Sequence, residues 1–170
     1  RQRQMCIRDS LGEVWEDAVT KVSYGERRQY ALGDALDSVM NYPLRDGLVA
    51  FLTGRSTAHA LADLLLSQRL NYPRPLYYAL MNLTASHDVA RTRSALALDF
   101  DPRSRTRAEL AALEITDAMA ARGAQLQVLA AAVQFWLPGI PSIYYGDETG
   151  MQGLCDPFNR APLQLSLIHI

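Results

Sequence analysis

Short apolar runs alternate along this chain with longer stretches in which apolar residues recur at helical spacing. This alternation is typical of a parallel sheet whose strands are joined by helices. We therefore predict strands over the apolar runs, at residues 36–40, 76–83 and 140–145. We predict helices over the amphipathic stretches, at residues 44–52, 56–70, 109–121 and 124–137.

Two of these helices are expected to bury one apolar face each. Ser56 is the expected N-cap of the helix at 56–70, whose apolar face is predicted to consist of Leu61, Leu64, Leu65 and Leu70. The helix at 124–137 is predicted to bury a stripe of Leu126, Leu129, Val133 and either Trp136 or Leu137. Gly123 is expected to break or bend the helical stretch that precedes it.

Polar residues follow the apolar runs at regular intervals. Glu13, Tyr42, Asp88 and the pair Asp147-Glu148 each come directly after an expected strand. The carboxyl ends of parallel strands meet at one edge of a sheet, and in barrels built this way that edge carries the chemistry. We expect these side chains to share one rim.

Length and composition limit the possible fold and partners. A chain of 170 residues suffices for one domain but is too short for a complete (β/α)8 barrel, which needs about 250 residues. The net charge of −1 gives no reason to expect nucleic acid as a partner. No apolar run approaches the roughly 20 residues that cross a bilayer, and the two cysteines form no disulfide or metal-ligand pattern.

Both ends differ from the rest of the pattern. Residues 1–10 and 164–170 do not continue it, and we expect them to be foreign, as translated adapter sequence would be. Natural divergence at frayed termini is the alternative. We assign neither end a function, so the part to be interpreted is residues 11–163.

Five short motifs carry a resemblance that spans residues 11–162. They are Gly12-Glu13-Val14-Trp15, Leu36 to Pro43 (LDSVMNYP), Ser86-His87-Asp88, Ile143 to Glu148 (IYYGDE) and Asp156 to Arg160 (DPFNR). With them the chain resembles the α-amylase superfamily of glycoside hydrolases, in its neopullulanase, cyclomaltodextrinase and maltogenic amylase branch. The resemblance implies an α/β fold, a partial TIM (β/α)8 barrel comprising roughly strands five to eight with their helices.

The resemblance makes Glu13 the general acid/base and Asp88 the carboxylate that stabilises the transition state. A glutamate donates a proton near neutral pH when its surroundings are partly dry, which Val14 and Trp15 are expected to provide. His87 is implied as a ligand of substrate hydroxyls. Without the other motifs, Glu13 would be taken for a solvated side chain, and the Ser-His-Asp triplet for a turn.

Four further residues are implied in substrate binding. Trp15 and Tyr42 are candidate platforms for sugar rings, with core packing as the alternative for each. Asp156 and Arg160 match a charged pair that grips a sugar in this branch, with a surface salt bridge as the alternative. The residues of the IYYGDE motif are expected to shape the pocket floor without chemistry of their own.

The implied parent enzyme is a retaining α-glucan hydrolase that cleaves α-1,4 bonds, with α-1,6 bonds as an option, in cyclodextrins, pullulan or malto-oligosaccharides. The family's nucleophile lies in an arginine-x-aspartate motif on the fourth strand, and no such element precedes Glu13. The fragment itself is therefore expected to be inactive. The alternatives are a transglycosylase or sugar isomerase of the same superfamily, or a non-catalytic amylase-like binding subunit, which would typically have lost Glu13, His87 and Asp88.

No cofactor is expected in this segment, since the calcium sites of the family belong to parts not represented here. The expected partner is an α-glucan or malto-oligosaccharide, and neither nucleic acid nor a membrane is expected. The resemblance further implies that the full-length parent forms a homodimer through an N-terminal domain and favours a cytoplasmic location.

Overall fold

The computed structural model of the chain describes residues 10–31 and 35–163. The expected foreign segments, at 1–10 and 164–170, therefore lie outside the described residues, apart from Ser10. Of the residues between these two segments, the described ranges omit 32–34 alone.

Four short parallel strands form the centre of the fold. Strand β1 (Leu11–Gly12) pairs with β4 (Ser38–Val39), in the register Leu11 to Ser38. Strand β5 (Met81–Leu83) pairs with β6 (Ile140–Ser142), in the register Met81 to Ile140. A parallel bridge between Met40 and Met81 connects the two pairs, so the strands lie in the spatial order β1, β4, β5, β6. A separate antiparallel hairpin is formed by β2 (Val22–Ser23) and β3 (Glu26–Arg27).

Six α-helices join the strands in the described residues. They are α1 (Tyr42–Leu52), α2 (Ala58–Asn71), α3 (Arg74–Ala79), α4 (Thr92–Ala97), α5 (Arg107–Ala112) and α6 (Asp117–Trp136). Single 3-10 turns occur at Pro102–Ser104, Asp147–Thr149 and Phe158–Arg160. None of these helices combines the length and hydropathy that a membrane crossing needs.

Four of the six helices in the described residues follow a side chain that accepts a hydrogen bond from the first turn. Asn41 caps α1 by accepting from the Leu44 amide at 3.2 Å. Helix α2 is capped by Thr57, which accepts from the Ala60 amide at 3.2 Å, so the expected cap at Ser56 is one residue early. Serine and threonine are both favoured at an N-cap, so the sequence does not distinguish Ser56 from Thr57. In the structure the residue at the N-cap is Thr57.

The strand predicted at 76–83 is wrong over most of its length. Residues Arg74–Ala79 form helix α3, and only Met81–Leu83 is strand. Pro75 lies in the first helical turn, where proline is favoured because no amide donor is needed there. A short apolar run does not distinguish a strand from a buried helical turn. The strand predicted at 140–145 is likewise shorter, ending at Ser142.

Gly123 does not break the helix, contrary to one form of the prediction, since α6 runs without interruption from Asp117 to Trp136. It is buried within the helix, and a Cβ at this position would lie 2.4 Å from the carbonyl oxygen of Arg93 in α4. The glycine thus allows two helices to approach closely. The actual break is at residues 113–116, where Thr116 caps α6 by accepting from the Met119 amide at 3.4 Å.

Three residues predicted to be buried on helix faces are exposed. Leu70 of α2 is 74% exposed, and Leu129 and Trp136 of α6 are 52% and 91% exposed. The buried side of α6 instead carries Gly123, Ala130 and Gln134, with Leu126 and Val133 packed partly against the core. Two small residues, Gly123 and Ala130, and the amide of Gln134 are therefore buried on a helix for which the periodicity favoured large apolar side chains.

The two outer strands are open. In the described ranges, β1 and β6 each pair on one side only, and Leu11, Ile140 and Ile143 are more than half exposed. We predict that the isolated 170-residue chain self-associates, because open strand edges and exposed apolar side chains promote aggregation. Light scattering coupled to size-exclusion chromatography should detect large species. A monomer that unfolds in one cooperative thermal transition would contradict this prediction.

Candidate active site

The rim where the parallel strands end brings the predicted acidic residues together. One carboxylate oxygen of Glu13, one of Asp88 and a ring nitrogen of His87 all lie within 4.8 Å of one another. Glu13 follows β1 directly, and His87 and Asp88 follow β5 by a few residues. The structure therefore brings together Glu13 and Asp88, two of the residues that the strand order predicts at a shared rim.

The surroundings of Glu13 differ from the expectation. Glu13 is exposed, and Val14 points into the core at 6% exposure instead of covering the carboxylate. Val14 packs in the buried core cluster that contains Ala18 and Val39. Within the described residues, Glu13 is contacted through one hydrogen bond, which the hydroxyl of Tyr42 donates to Oε1 at 3.1 Å.

Tyr42 is a buried residue whose hydroxyl contacts Glu13. Its ring is fully buried and stacks on Trp15, with the centroids 4.1 Å apart and the planes 6° from parallel. Burial, reinforced by the charges of Glu13 and Asp88, raises the pKa of Tyr42 to about 12. The phenol thus keeps its proton at neutral pH. This corrects the expected platform role of Tyr42, because no face of its ring is left for a sugar, whereas Trp15 is 39% exposed.

Asp88 is held by a positive side chain and by its neighbouring histidine. Arg160 Nη2 donates to Asp88 Oδ1 at 3.2 Å, and His87 Nε2 lies 3.1 Å from Oδ2. Arg160 also pairs with Asp156, with Nε 2.6 Å from Oδ1. Asp156 and Arg160 thus form the salt bridge that was the alternative to sugar binding, and sugar binding stays a prediction. Arg160 also reaches Asp88, which the sequence did not indicate.

Asn159 fixes the loop that carries His87 and Asp88. It is fully buried, and its Nδ2 lies 3.0, 2.9 and 2.8 Å from the carbonyl oxygens of Ser86, His87 and Val89. Arg160 Nε donates to the His87 carbonyl as well, at 3.2 Å. Sequence reasoning missed this contact, although Asn159 lies inside the motif at 156–160.

Arg91 is a second residue near the site that the sequence did not reveal. Its side chain is fully buried, with the guanidinium carbon 4.8 and 4.6 Å from the ring centroids of Tyr144 and Tyr145. Asp147 lies 3.6 Å from Arg91 Nη1 and accepts a hydrogen bond from the Thr92 hydroxyl at 2.6 Å. Burial raises the pKa of Asp147, against the lowering effect of Thr92 and Arg91. These contacts gather Tyr144, Tyr145 and Asp147 of the IYYGDE motif around the buried Arg91 side chain.

A cleft opens beside Glu13. A cleft of about 480 Å³ is lined by Glu13 and Trp15 together with Gly12, Lys21, Tyr30 and Leu36. His87 and Asp88 do not line this cleft.

The Glu13, His87 and Asp88 side chains are also close enough to share a metal ion, since carboxylates and imidazole are suitable ligands. One carboxylate oxygen of Asp88 already accepts a hydrogen bond from Arg160, so this oxygen is not free for a cation.

No family model matches the sequence. Characterised relatives do match. An amylopullulanase from Thermoanaerobacter thermohydrosulfuricus is 34% identical over 164 residues, which cover 88% of this chain and 10% of that protein. A cyclomaltodextrinase from Thermoanaerobacter pseudethanolicus is 33% identical over 148 residues, which cover 86% of this chain and 20% of that protein.

The backbone matches solved enzymes of the same kind. A cyclic α-maltosyl-(1→6)-maltose hydrolase from Arthrobacter globiformis, in complex with cyclic α-maltosyl-(1→6)-maltose, superposes with a TM-score of 0.68 at 28% identity. The match covers 93% of this chain and 28% of that enzyme. The chain thus spans about a tenth to a third of the proteins it matches. Sequence and backbone agree that it belongs to the α-amylase family of glycoside hydrolases and corresponds to a segment of these longer TIM-barrel enzymes.

Proposed function

We propose that this chain is strands five to eight, with their helices, of a retaining α-glucan hydrolase that cleaves α-1,4 glucosidic bonds and has α-1,6 bonds as a further possibility. The observation that carries the proposal is the meeting of Glu13, His87 and Asp88 within 4.8 Å at the carboxyl ends of parallel strands. The names of the relatives, amylopullulanase and cyclomaltodextrinase, support an α-glucan as the substrate class.

Glu13 serves as general acid and then general base. Hydrolysis with retention needs one carboxylic acid that protonates the leaving oxygen and later deprotonates the attacking water. Oε1 of Glu13 accepts the hydrogen bond from Tyr42, so the second oxygen remains for proton exchange with substrate and water. Trp15, beside Glu13 in the cleft, offers the aromatic surface on which a sugar ring can stack.

Asp88 stabilises the positive charge that develops on the sugar ring. An oxocarbenium-like transition state gains from a fixed carboxylate, and the contacts with Arg160 and His87 fix both oxygens of Asp88. His87 is half exposed beside it, and while Nε2 donates to Asp88, the second ring nitrogen, Nδ1, can accept a hydrogen bond from a sugar hydroxyl. Asp156 orients Arg160 through the salt bridge between them.

The nucleophile is proposed to come from a strand that pairs with β1 in the full-length parent. Retention requires a second carboxylate about 5–5.5 Å from the acid. In the described ranges, β1 pairs with β4 alone, so its other edge can accept such a strand next to Glu13. The 170-residue chain by itself is then inactive.

The stereochemistry of the product tests this proposal. The full-length parent should release sugar from an aryl α-maltoside, and proton NMR within the first minutes should detect the α-anomer before mutarotation. Early appearance of the β-anomer would contradict retention. Absence of sugar release would contradict a hydrolase, and predominant transfer to added maltose would point to a transglycosylase instead.

A further inference from the structure

The buried Tyr42 hydroxyl lies between two oxygens that belong to different parts of the site. It is 3.1 Å from Glu13 Oε1 and 3.1 Å from the hydroxyl oxygen of Ser86. Ser86 in turn accepts a hydrogen bond from the backbone amide of Asp88 at 3.1 Å. Tyr42 is fully buried and Ser86 is 4% exposed. Together these contacts form one continuous chain from the Asp88 backbone to the Glu13 carboxylate.

Chemistry fixes the direction of this chain. The Asp88 amide can only donate, so Ser86 accepts there, and the Ser86 hydroxyl proton is free to be donated to the Tyr42 oxygen. Tyr42 has a single proton, and the ionised carboxylate of Glu13 can only accept. Each hydroxyl therefore donates toward Glu13.

We propose that Tyr42 and Ser86 are positioning residues that determine which oxygen of Glu13 carries the catalytic proton. The inference rests on the proposed role of Glu13 as the acid/base. A hydrogen bond donated to Oε1 makes that atom the carbonyl oxygen when Glu13 is protonated, so the proton sits on Oε2. The stacking of Trp15 on Tyr42, with planes 6° from parallel, keeps the hydroxyl at its place.

The first test is Tyr42→Phe in the full-length parent, which keeps the ring and its stacking on Trp15 but removes the donor. We expect kcat/KM on maltotriose to fall about tenfold to a hundredfold, because hydrogen bonds to charged groups are worth that much. An aryl α-maltoside with a good leaving group should lose less, and KM should change little. The alkaline limb of the pH–rate profile should move to higher pH, because the lost hydrogen bond favoured the ionised carboxylate.

The second test is substitution of Ser86. Ser86→Ala removes the donor to Tyr42 and also the acceptor for the Asp88 amide, so we expect kcat/KM to fall on both substrates, about tenfold on maltotriose and by a smaller factor on the aryl α-maltoside. Ser86→Thr keeps the hydroxyl and should restore most of the rate. If the threonine variant does not fold, the double mutant Ser86→Ala with Tyr42→Phe decides. Because the two residues belong to one network, the double mutant should lose less kcat/KM than the product of the two single losses.

Tyr72→Phe is the matched control. The Tyr72 hydroxyl is buried as well and accepts a hydrogen bond from the Ala18 amide at 2.8 Å, away from Glu13. Its removal should lower Tm without changing the leaving-group dependence or the pH limb. Equal losses on both substrates for Tyr42→Phe, with the limb unmoved, would overturn the inference. A wild-type parent without glycosidase activity would instead overturn the proposed function.

Discussion

Glu13→Gln is expected to lower kcat/KM of the full-length parent on maltotriose by about a thousandfold. The amide keeps the shape of the side chain and can still accept the hydrogen bond from Tyr42, but it cannot donate a proton to the leaving oxygen. An aryl leaving group departs with less help from an acid. The variant should therefore keep a larger fraction of its rate on an aryl α-maltoside, as measured by comparing kcat/KM on the two substrates.

Glu16→Gln is the matched control for this prediction. Glu16 is an exposed glutamate three residues further along, paired with Lys21 at the surface. The same chemical change there should leave kcat/KM on both substrates within about twofold, since exposed ion pairs contribute little. If Glu13→Gln loses the same factor on both substrates, Glu13 is not the acid.

Asp88→Asn is expected to lower kcat/KM about a thousandfold on both substrates alike. The positive charge that Asp88 stabilises develops on the sugar whichever group leaves, so a good leaving group cannot compensate. A second effect is expected to destabilise the transition state of this variant. With the carboxylate neutralised, the guanidinium of Arg160, now 3.2 Å from Asp88 Oδ1, remains at the site and opposes the same developing charge.

Asp63→Asn provides the control for the loss of one negative charge. Asp63 is exposed on α2, so its neutralisation should leave the rates on both substrates unchanged. Leaving-group compensation in Asp88→Asn, resembling that of Glu13→Gln, would show that Asp88 assists proton transfer instead. Full activity of Asp88→Asn would contradict the assignment of the Ser86 to Asp88 motif as a whole.

The sequence predicts the placement of the acidic residues better than the elements between them. Glu13 and Asp88 meet because parallel strands end at one rim, a consequence of topology that needs no atomic detail. The helix at Arg74–Ala79 is mispredicted as a strand because a short apolar run fits either period once prolines flank it. Gly123 is mispredicted as a helix breaker because its partner, the Arg93 carbonyl, comes from another helix.

The site contacts that the sequence does not reveal are made by buried polar side chains. Arg91 and Asn159 are fully buried, yet arginine and asparagine most often lie at surfaces, so nothing in their neighbours marks them. Tyr42 is expected from the sequence to face the cleft, but it is the first residue of α1 and points into the core. A motif indicates that an aromatic ring is near the site, whereas packing decides which face is free.

The contacts of Asn159 also set an order for biosynthesis. Its amide binds carbonyl oxygens of residues that precede it by 70 to 73 positions. At about 5–20 residues per second, a ribosome needs roughly 4–15 s to add that much chain. During this interval the Ser86–Val89 loop has emerged without the side chain that binds its carbonyls. The contacts that hold this loop can therefore form only after Asn159 has been added, later than strands β1, β4 and β5, which precede the loop in the chain.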